Sequence, residues 1–391
     1  MEPCEAPLRN VTRGVWRPLP SGDLQFDLQR CALRRFDRHA ARRCLAGRHV
    51  VMLGQSWTRY MYMSLVHLLE LGTLPAERPR GSVCWERSWA PPPNQSTPRW
   101  LARAGDLDEY GQQWAHFFHG TNALFSSAGG REVCDCSRPS MAAPHQENRF
   151  YERRAAAHHA ERAAHHGEHA AHHDRRDAGG GANASTRVSF FFTVGKLPVH
   201  GFAEPSKAAS VDGIAEQLSW CEAGVCTLDG RGAAWQEKSL ATLMARKVAP
   251  LQPDVLLWSS DFLGWPSCAS DHGLLRTVLR AGSAALRPGG TALAKSRSFP
   301  QLGAAAHAAP PRQCFGAPCG GANERGSCMR ERVASEEGWP TLDHFELLRA
   351  LYAHNATVGD ASFVEDDPNR AHHRCYVNNE LVNLMLNMIC G

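Results

Sequence analysis

HVVMLGQSWTRYMYMSL, residues 49–65, joins two burial patterns in one short stretch. The run His49-Val50-Val51-Met52-Leu53 ahead of a glycine reads as a strand buried on both faces. Beyond Ser56 the apolar side chains fall at helical intervals, among them Met61, Leu65, Leu68 and Leu69, and the spacing predicts a helix over about 57–70. Gly54 lets the chain turn tightly between the two. Ser56 therefore stands at a strand-to-helix corner, where the first helical N–H groups favour negative charge on or near its oxygen. Two roles fit that position: a nucleophile, which needs a base from elsewhere in the chain, or a helix N-cap, which needs no chemistry.

Further strands are expected at Arg187–Val194 (RVSFFFTV), Asp254–Ser259 (DVLLWS) and Thr291–Ala294, the last after the turn Pro288-Gly289-Gly290. Helical patterns lie at about 236–248, 272–286, 341–353 and 376–389. Strands alternating with helices predict an α/β fold, a central parallel sheet covered on both faces. In such sheets ligands bind at the carboxyl ends of the strands, which is where Ser56 falls.

The 391-residue chain carries a net charge of only +4, with arginines scattered among acids, so it lacks the electrostatic footprint of a nucleic-acid binder. Its 14 cysteines, spread from Cys4 to Cys390, suit an oxidising compartment. The sequons at Asn10, Asn94, Asn183 and Asn355 agree. Cys134-Asp135-Cys136 and the group Cys314, Cys319 and Cys328 lack the paired spacings of a zinc site, and no metal or other cofactor is expected. No stretch reaches the length of a membrane span, and MEPCEAPLRN has no signal-peptide core. Either an N-terminal leader or anchor precedes this start, in which case membrane association through it is open, or the compartment inference fails.

Residues 156–176 form the tandem heptads AAHHAER, AAHHGEH and AAHHDRR. On a helix His165, His169 and His173 share one face, a spacing able to hold a metal; the preferred reading is a low-complexity insertion in a surface loop. Near the C-terminus VEDDPNRAHHRCYVNNELVNLMLNMIC sets Glu365, Asp366 and Asp367 ahead of His372 and His373, then an apolar helix. A loop with acid and histidine before the last helix can lie over the strand ends, where a histidine takes the proton from Ser56 and an acid or amide holds its tautomer.

Residues 31–72, CALRRFDRHAARRCLAGRHVVMLGQSWTRYMYMSLVHLLELG, resemble the opening of the PC-esterase and trichome-birefringence-like branch of the SGNH hydrolases. Cys134-Asp135-Cys136, ENRFY at 147–151, Pro253-Asp254-Val255 and the terminal LVNLMLNMIC follow in the family's order. The resemblance covers about residues 28–391 and implies one SGNH-like domain after an N-terminal extension of 1–27, interrupted by the histidine-rich insertion at about 153–186. It also implies a three-layer α/β/α fold and a serine-histidine-aspartate site that moves acyl groups, commonly acetyl, on or off sugar hydroxyls.

Carried over by position, Ser56 matches the nucleophile and His372 the base, while the family's aspartate falls on Asn369. An asparagine can still hold the imidazole but supplies no charge to it; Asp366 or Asp367 can substitute if the loop bends differently. The family's aspartate before the serine is Gln55 here, although GQS also resembles the nucleophile motif of sialate O-acetylesterases. The block that normally supplies an oxyanion-hole amide reads Ser259-Ser260-Asp261. A serine there donates one hydrogen bond, with the Ser56 N–H as the other donor, whereas Asp261 pointing inward repels an oxyanion.

The expected function is an O-acyltransferase or acylesterase of the secretory lumen, Golgi or secreted, with a polysaccharide or glycan acceptor. Its acyl donor would be acetyl-CoA or an acylated carrier. The alternative is a catalytically impaired SGNH-fold protein that binds glycans.

Overall fold

The computed structural model describes residues 2–5, 7–8, 14–20, 23–75, 109–138, 146–154, 185–193, 199–201, 235–237, 240–259, 268–296, 331–344, 346–348, 350–351 and 375–390. Its strands are β1 (Gly14–Pro18), β2 (Leu24–Leu28), β3 (His49–Gly54), β4 (Gly130–Ser137), β5 (Gln146–Arg154) and β6 (Ser185–Phe192), then β7 (Val199–Gly201), β8 (Trp235–Glu237), β9 (Val255–Ser259), β10 (Thr291–Lys295) and β11 (Thr341–Leu342). The helices used below are α1 (Arg38–Leu45), α2 (Ser56–Leu71), α3 (Glu109–Leu124), α4 (Leu240–Leu243), α5 (Cys268–Ala285) and α6 (Cys375–Ile389). A π turn and a 3-10 turn carry α4 on to Leu251.

A seven-stranded sheet in the order β11-β10-β9-β3-β6-β5-β4 forms the frame. β11, β10, β9, β3 and β6 run parallel, and β5 and β4 extend the sheet antiparallel. The fold is α/β as the strand-helix alternation predicts, but the sheet is mixed, not wholly parallel. The reason is local: β5 and β4 pair as antiparallel neighbours, and β6 lies antiparallel to β5 from Asn148 opposite Phe191 to Arg154 opposite Ser185.

Alternate residues of the central strands enter two separate cores. Val50 and Met52 of β3 join Val188, Phe190, Val255 and Leu257 beneath α1, α2, α3 and α6. Val51 and Leu53 join Phe191, Leu256 and Trp258 beneath α4 and α5. Burial on both faces explains why β3 reads as a continuous apolar run. The hairpin β1–β2 belongs to the first core: Trp16 and Phe26 are buried there, and the Trp16 indole donates to the Leu347 carbonyl at 2.9 Å.

The expected helices agree with α2, α5 and α6 to within a few residues. The pattern at 341–353 opens instead as β11, because Thr341 and Leu342 pair with Ala294 and Lys295 before the helix begins. The one at 236–248 likewise opens as β8, which pairs with β7. The histidine heptads at 156–176 lie outside the described residues.

Candidate active site

Ser56 is the first residue of α2, immediately beyond the carboxyl end of the central strand β3. The cap position belongs to Gln55, in extended conformation and with no side-chain cap bond, so Ser56 is not the N-cap. The backbone N–H of Arg59 donates to the Gln55 carbonyl at 2.8 Å. Ser56, Trp57 and Thr58 precede that bond, and their N–H groups form the positive end of a 16-residue helix. Ser56 is partly exposed while Gln55 and Trp57 on either side are buried. The Gln55 amide nitrogen is buried and has no hydrogen-bond partner among the described residues.

The neighbouring strand ends bring polar groups to this corner. Ser259 ends β9, and a Cβ added at Gly54 would lie 2.9 Å from the Ser259 Cβ and 2.3 Å from Thr58 Oγ1. Glycine at 54 is thus a condition for placing Ser259 against the base of the corner. Lys295 ends β10 in register with Ser259, and its ammonium donates to Ser259 Oγ at 3.4 Å. The same ammonium lies 5.8 Å from the centre of the Trp57 ring, within the reach of a cation–π contact. Lys295 and Ser259 are both buried, at 2% and 3% exposure. Beyond β11 comes buried His344, edge-on to Trp57 with ring centres 6.1 Å apart. Its neighbour Asp343 accepts from Ser296 Oγ at 3.2 Å.

Helix α2 is tied along its length to the antiparallel half of the sheet, and this fixes the serine in space. One turn after Ser56, the Arg59 guanidinium donates to Glu147 Oε2 of β5 at 3.1 Å. Tyr62 donates to Glu132 of β4 at 2.7 Å. At the far end Glu70 accepts from the Tyr151 hydroxyl at 2.9 Å, from the Gly130 N–H at 3.0 Å and from the Arg153 guanidinium at 2.5 Å. Arg149, wholly buried, bridges Glu147 at 2.6 Å and Glu132 at 3.2 Å. Burial raises the Glu132 carboxyl above its usual range against the opposing pull of Arg149. The ENRFY stretch therefore acts as a mount for the helix that carries Ser56. Pro253-Asp254-Val255 serves the opposite edge of the sheet, where Asp254 Oδ2 accepts the His49 N–H at 2.7 Å.

The direction of α6 bears on the expected base. Its C-terminal end is fastened near the start of β3 by the Cys44–Cys390 disulfide and by Arg48 donating to the Ile389 carbonyl at 2.8 Å. The last turn of α2 is held nearby, Arg42 of α1 donating to the Leu69 carbonyl at 2.8 Å. With 15 and 16 residues, α6 and α2 are of almost equal length and both begin toward the carboxyl edge of the sheet. Cys375, the first residue of α6, follows His372 by three positions in the sequence. His372, Asn369, Asp366, Asp367 and Ser260 lie outside the described residues, as does Asp261, so of the expected site residues the structure brings Ser56 and Ser259 to one edge.

Sequence reasoning missed Lys295, Ser296, Asp343 and His344. The expected strand at Thr291–Ala294 stops one residue short of Lys295, and the expected helix at 341–353 absorbs Asp343 and His344. Polar residues directly after each buried strand were the available signal. Among the described residues no group of histidine, cysteine and acidic side chains could hold a metal, and no helix is long and apolar enough to cross a membrane. Cysteines pair as Cys4–Cys31, Cys44–Cys390 and Cys134–Cys136, compatible with a secreted or lumenal protein. No family model and no curated protein matches this chain.

Proposed function

We propose that this chain is an SGNH-type O-acyl esterase or O-acyltransferase acting on polysaccharide or glycan hydroxyls in the secretory lumen. The observation that carries the reading is the position of Ser56: partly exposed, first in a pinned helix at the carboxyl end of the central strand, with a second serine packed against the preceding glycine. Acyl transfer needs a nucleophile beside donors that stabilise charge as it develops, and a helix start supplies both. The entry of α6 from the same edge supports His372, three residues ahead of it, as the base.

In this mechanism Ser56 Oγ attacks the acyl carbonyl carbon while His372 takes its proton, and the carbonyl π pair moves onto oxygen. The Ser56 N–H and the Ser259 hydroxyl hydrogen-bond the resulting oxyanion, with Ser260 as a further donor. Collapse breaks the bond to the leaving group, which departs with the proton from His372. The acyl-serine then passes to a sugar hydroxyl or to water by the same steps reversed. Asn369 holds the imidazole, or Asp366 or Asp367 takes that place. The donor, acetyl-CoA or an acylated carrier, and the Golgi as the site of action belong to the same proposal.

The test is turnover of 4-nitrophenyl acetate. Ser56→Ala and His372→Ala each remove most of it, and the double variant is scarcely slower than either, because residues acting in one step fail together. Unchanged turnover without Ser56 leaves the glycan-binding reading in its place.

A further inference from the structure

We infer that Lys295 is a positioning residue that turns Ser259 into an oxyanion donor; the inference rests on the reading of Ser56 as nucleophile and extends it. A lysine ammonium has donors and no acceptor, so in the 3.4 Å contact the Ser259 oxygen must accept. That choice fixes which way the serine works. With its lone pair engaged by the ammonium, the hydroxyl hydrogen is directed away from Lys295, and the Ser259 O–H is polarised into a stronger donor.

The surroundings make this contact more than a surface coincidence. Lys295 and Ser259 are register partners on adjacent parallel strands, so their side chains leave the same face of the sheet at the same height. That face is the one α2 covers, since Leu257 and Leu293, two residues earlier on each strand, lie in the core beneath α2. Both side chains are buried, and an ammonium in such a place costs several kcal/mol of desolvation unless its contacts offset it. The Trp57 ring, adjacent to Ser56 in sequence, faces the ammonium at 5.8 Å and ties it to the same corner. Ser259 itself abuts Gly54, two residues before Ser56. A positive charge held behind a hydroxyl at the helix start suits an anionic transition state more than a neutral ester, so its effect falls on the chemical step. It also answers the departure from the family pattern at Ser259-Ser260-Asp261: a lysine-backed serine stands where an amide is expected.

The experiment compares Lys295→Met, Ser259→Ala and the double variant on 4-nitrophenyl acetate, with Ser56→Ala as the control. Lys295→Met keeps the apolar stem and removes the charge. It lowers kcat about 10²-fold with KM nearly unchanged and the melting temperature retained. In the Ser259→Ala background it has no further effect, because Lys295 acts through that hydroxyl. Should Lys295→Met fail to fold, Lys295→Gln, which keeps a donor without the charge, carries the same comparison. Full kcat in a folded Lys295 variant, or losses from Lys295 and Ser259 that multiply, overturns the inference while leaving the nucleophile in place. Full turnover in Ser56→Ala overturns the reading on which it depends.

Discussion

The sheet buries its two halves by different means. In the parallel half Val50, Val51, Met52 and Leu53 of β3 and Val255, Leu256 and Leu257 of β9 fill both cores with apolar side chains. In the antiparallel half β4 and β5 bury Glu132, Asp135, Glu147, Asn148 and Arg149 at 4% exposure or less. The apolar half holds the sheet together by area removed from water. The charged half gains little net stability from its ion pairs, because desolvation offsets their attraction, but its hydrogen bonds tie named atoms of α2 to β4 and β5. The side chains they orient are those of α2, so the charged half sets where Ser56 stands. Placement of α2 thus draws on the charged side chains of β4 and β5 in addition to the apolar packing that both halves contribute to the cores.

Removing one member of the charged network is the strongest way to break this contrast. Arg149→Met leaves Glu132 and Glu147 buried with a missing partner, and the loss in urea unfolding should reach about 3–5 kcal/mol. Replacing the set together, Arg59→Met, Glu132→Gln, Glu147→Leu and Arg149→Met, should return most of that stability but not the turnover, since α2 is no longer held in one register. If Arg149→Met costs under about 1 kcal/mol, the network is not the mount described here.

Gly54→Ala probes the junction between the halves. Its methyl group meets Thr58 Oγ1 and the Ser259 Cβ, so the corner must shift, at a cost of about 1–3 kcal/mol of overpacking. Turnover of 4-nitrophenyl acetate should fall by more than about 10-fold, because Ser56 and Ser259 move apart together. A folded Gly54→Ala variant that matches the wild-type rate would detach the close approach from the proposed chemistry.

This contrast also decides what the sequence discloses. Strands β3, β6, β9 and β10 were legible because apolar runs end in turn residues, and α2 and α6 because their apolar residues recur at helical spacing. Strands β4 and β5 were not, because GREVCDCS and QENRFYERR look like solvated chain until their charges are seen to pair within the core. The corner at Ser56 was legible for the same reason as β3. Lys295 and His344 were not, since Lys295 is the last residue of β10 and His344 lies two residues past β11, and each joins the site only through the register of β9, β10 and β11.

The smallest expected effect lies at His49, where the apolar half buries a titratable group. Burial first, then the Arg187 charge, pushes its pKa down to about 3, and its Nε2 lies 2.7 Å from Ser189 Oγ. Because the folded pKa is depressed below the unfolded value, the contribution of His49 is fully present above about pH 6.5 and is lost as pH falls from there toward 3. His49→Gln should remove that dependence. Thermal unfolding at pH 7 and 5.5 should show wild type losing about 1 kcal/mol relative to the variant over this interval. Parallel curves would mean that the folded protein protonates His49 as readily as the unfolded chain does.

The central claim is that Ser56 becomes acylated. Incubating the protein with a fluorophosphonate and identifying the modified peptide by mass spectrometry addresses it directly, since only an activated serine reacts. One adduct is expected, on Ser56, and it is absent from both Ser56→Ala and His372→Ala. An adduct elsewhere, or none in folded wild-type protein, would contradict it.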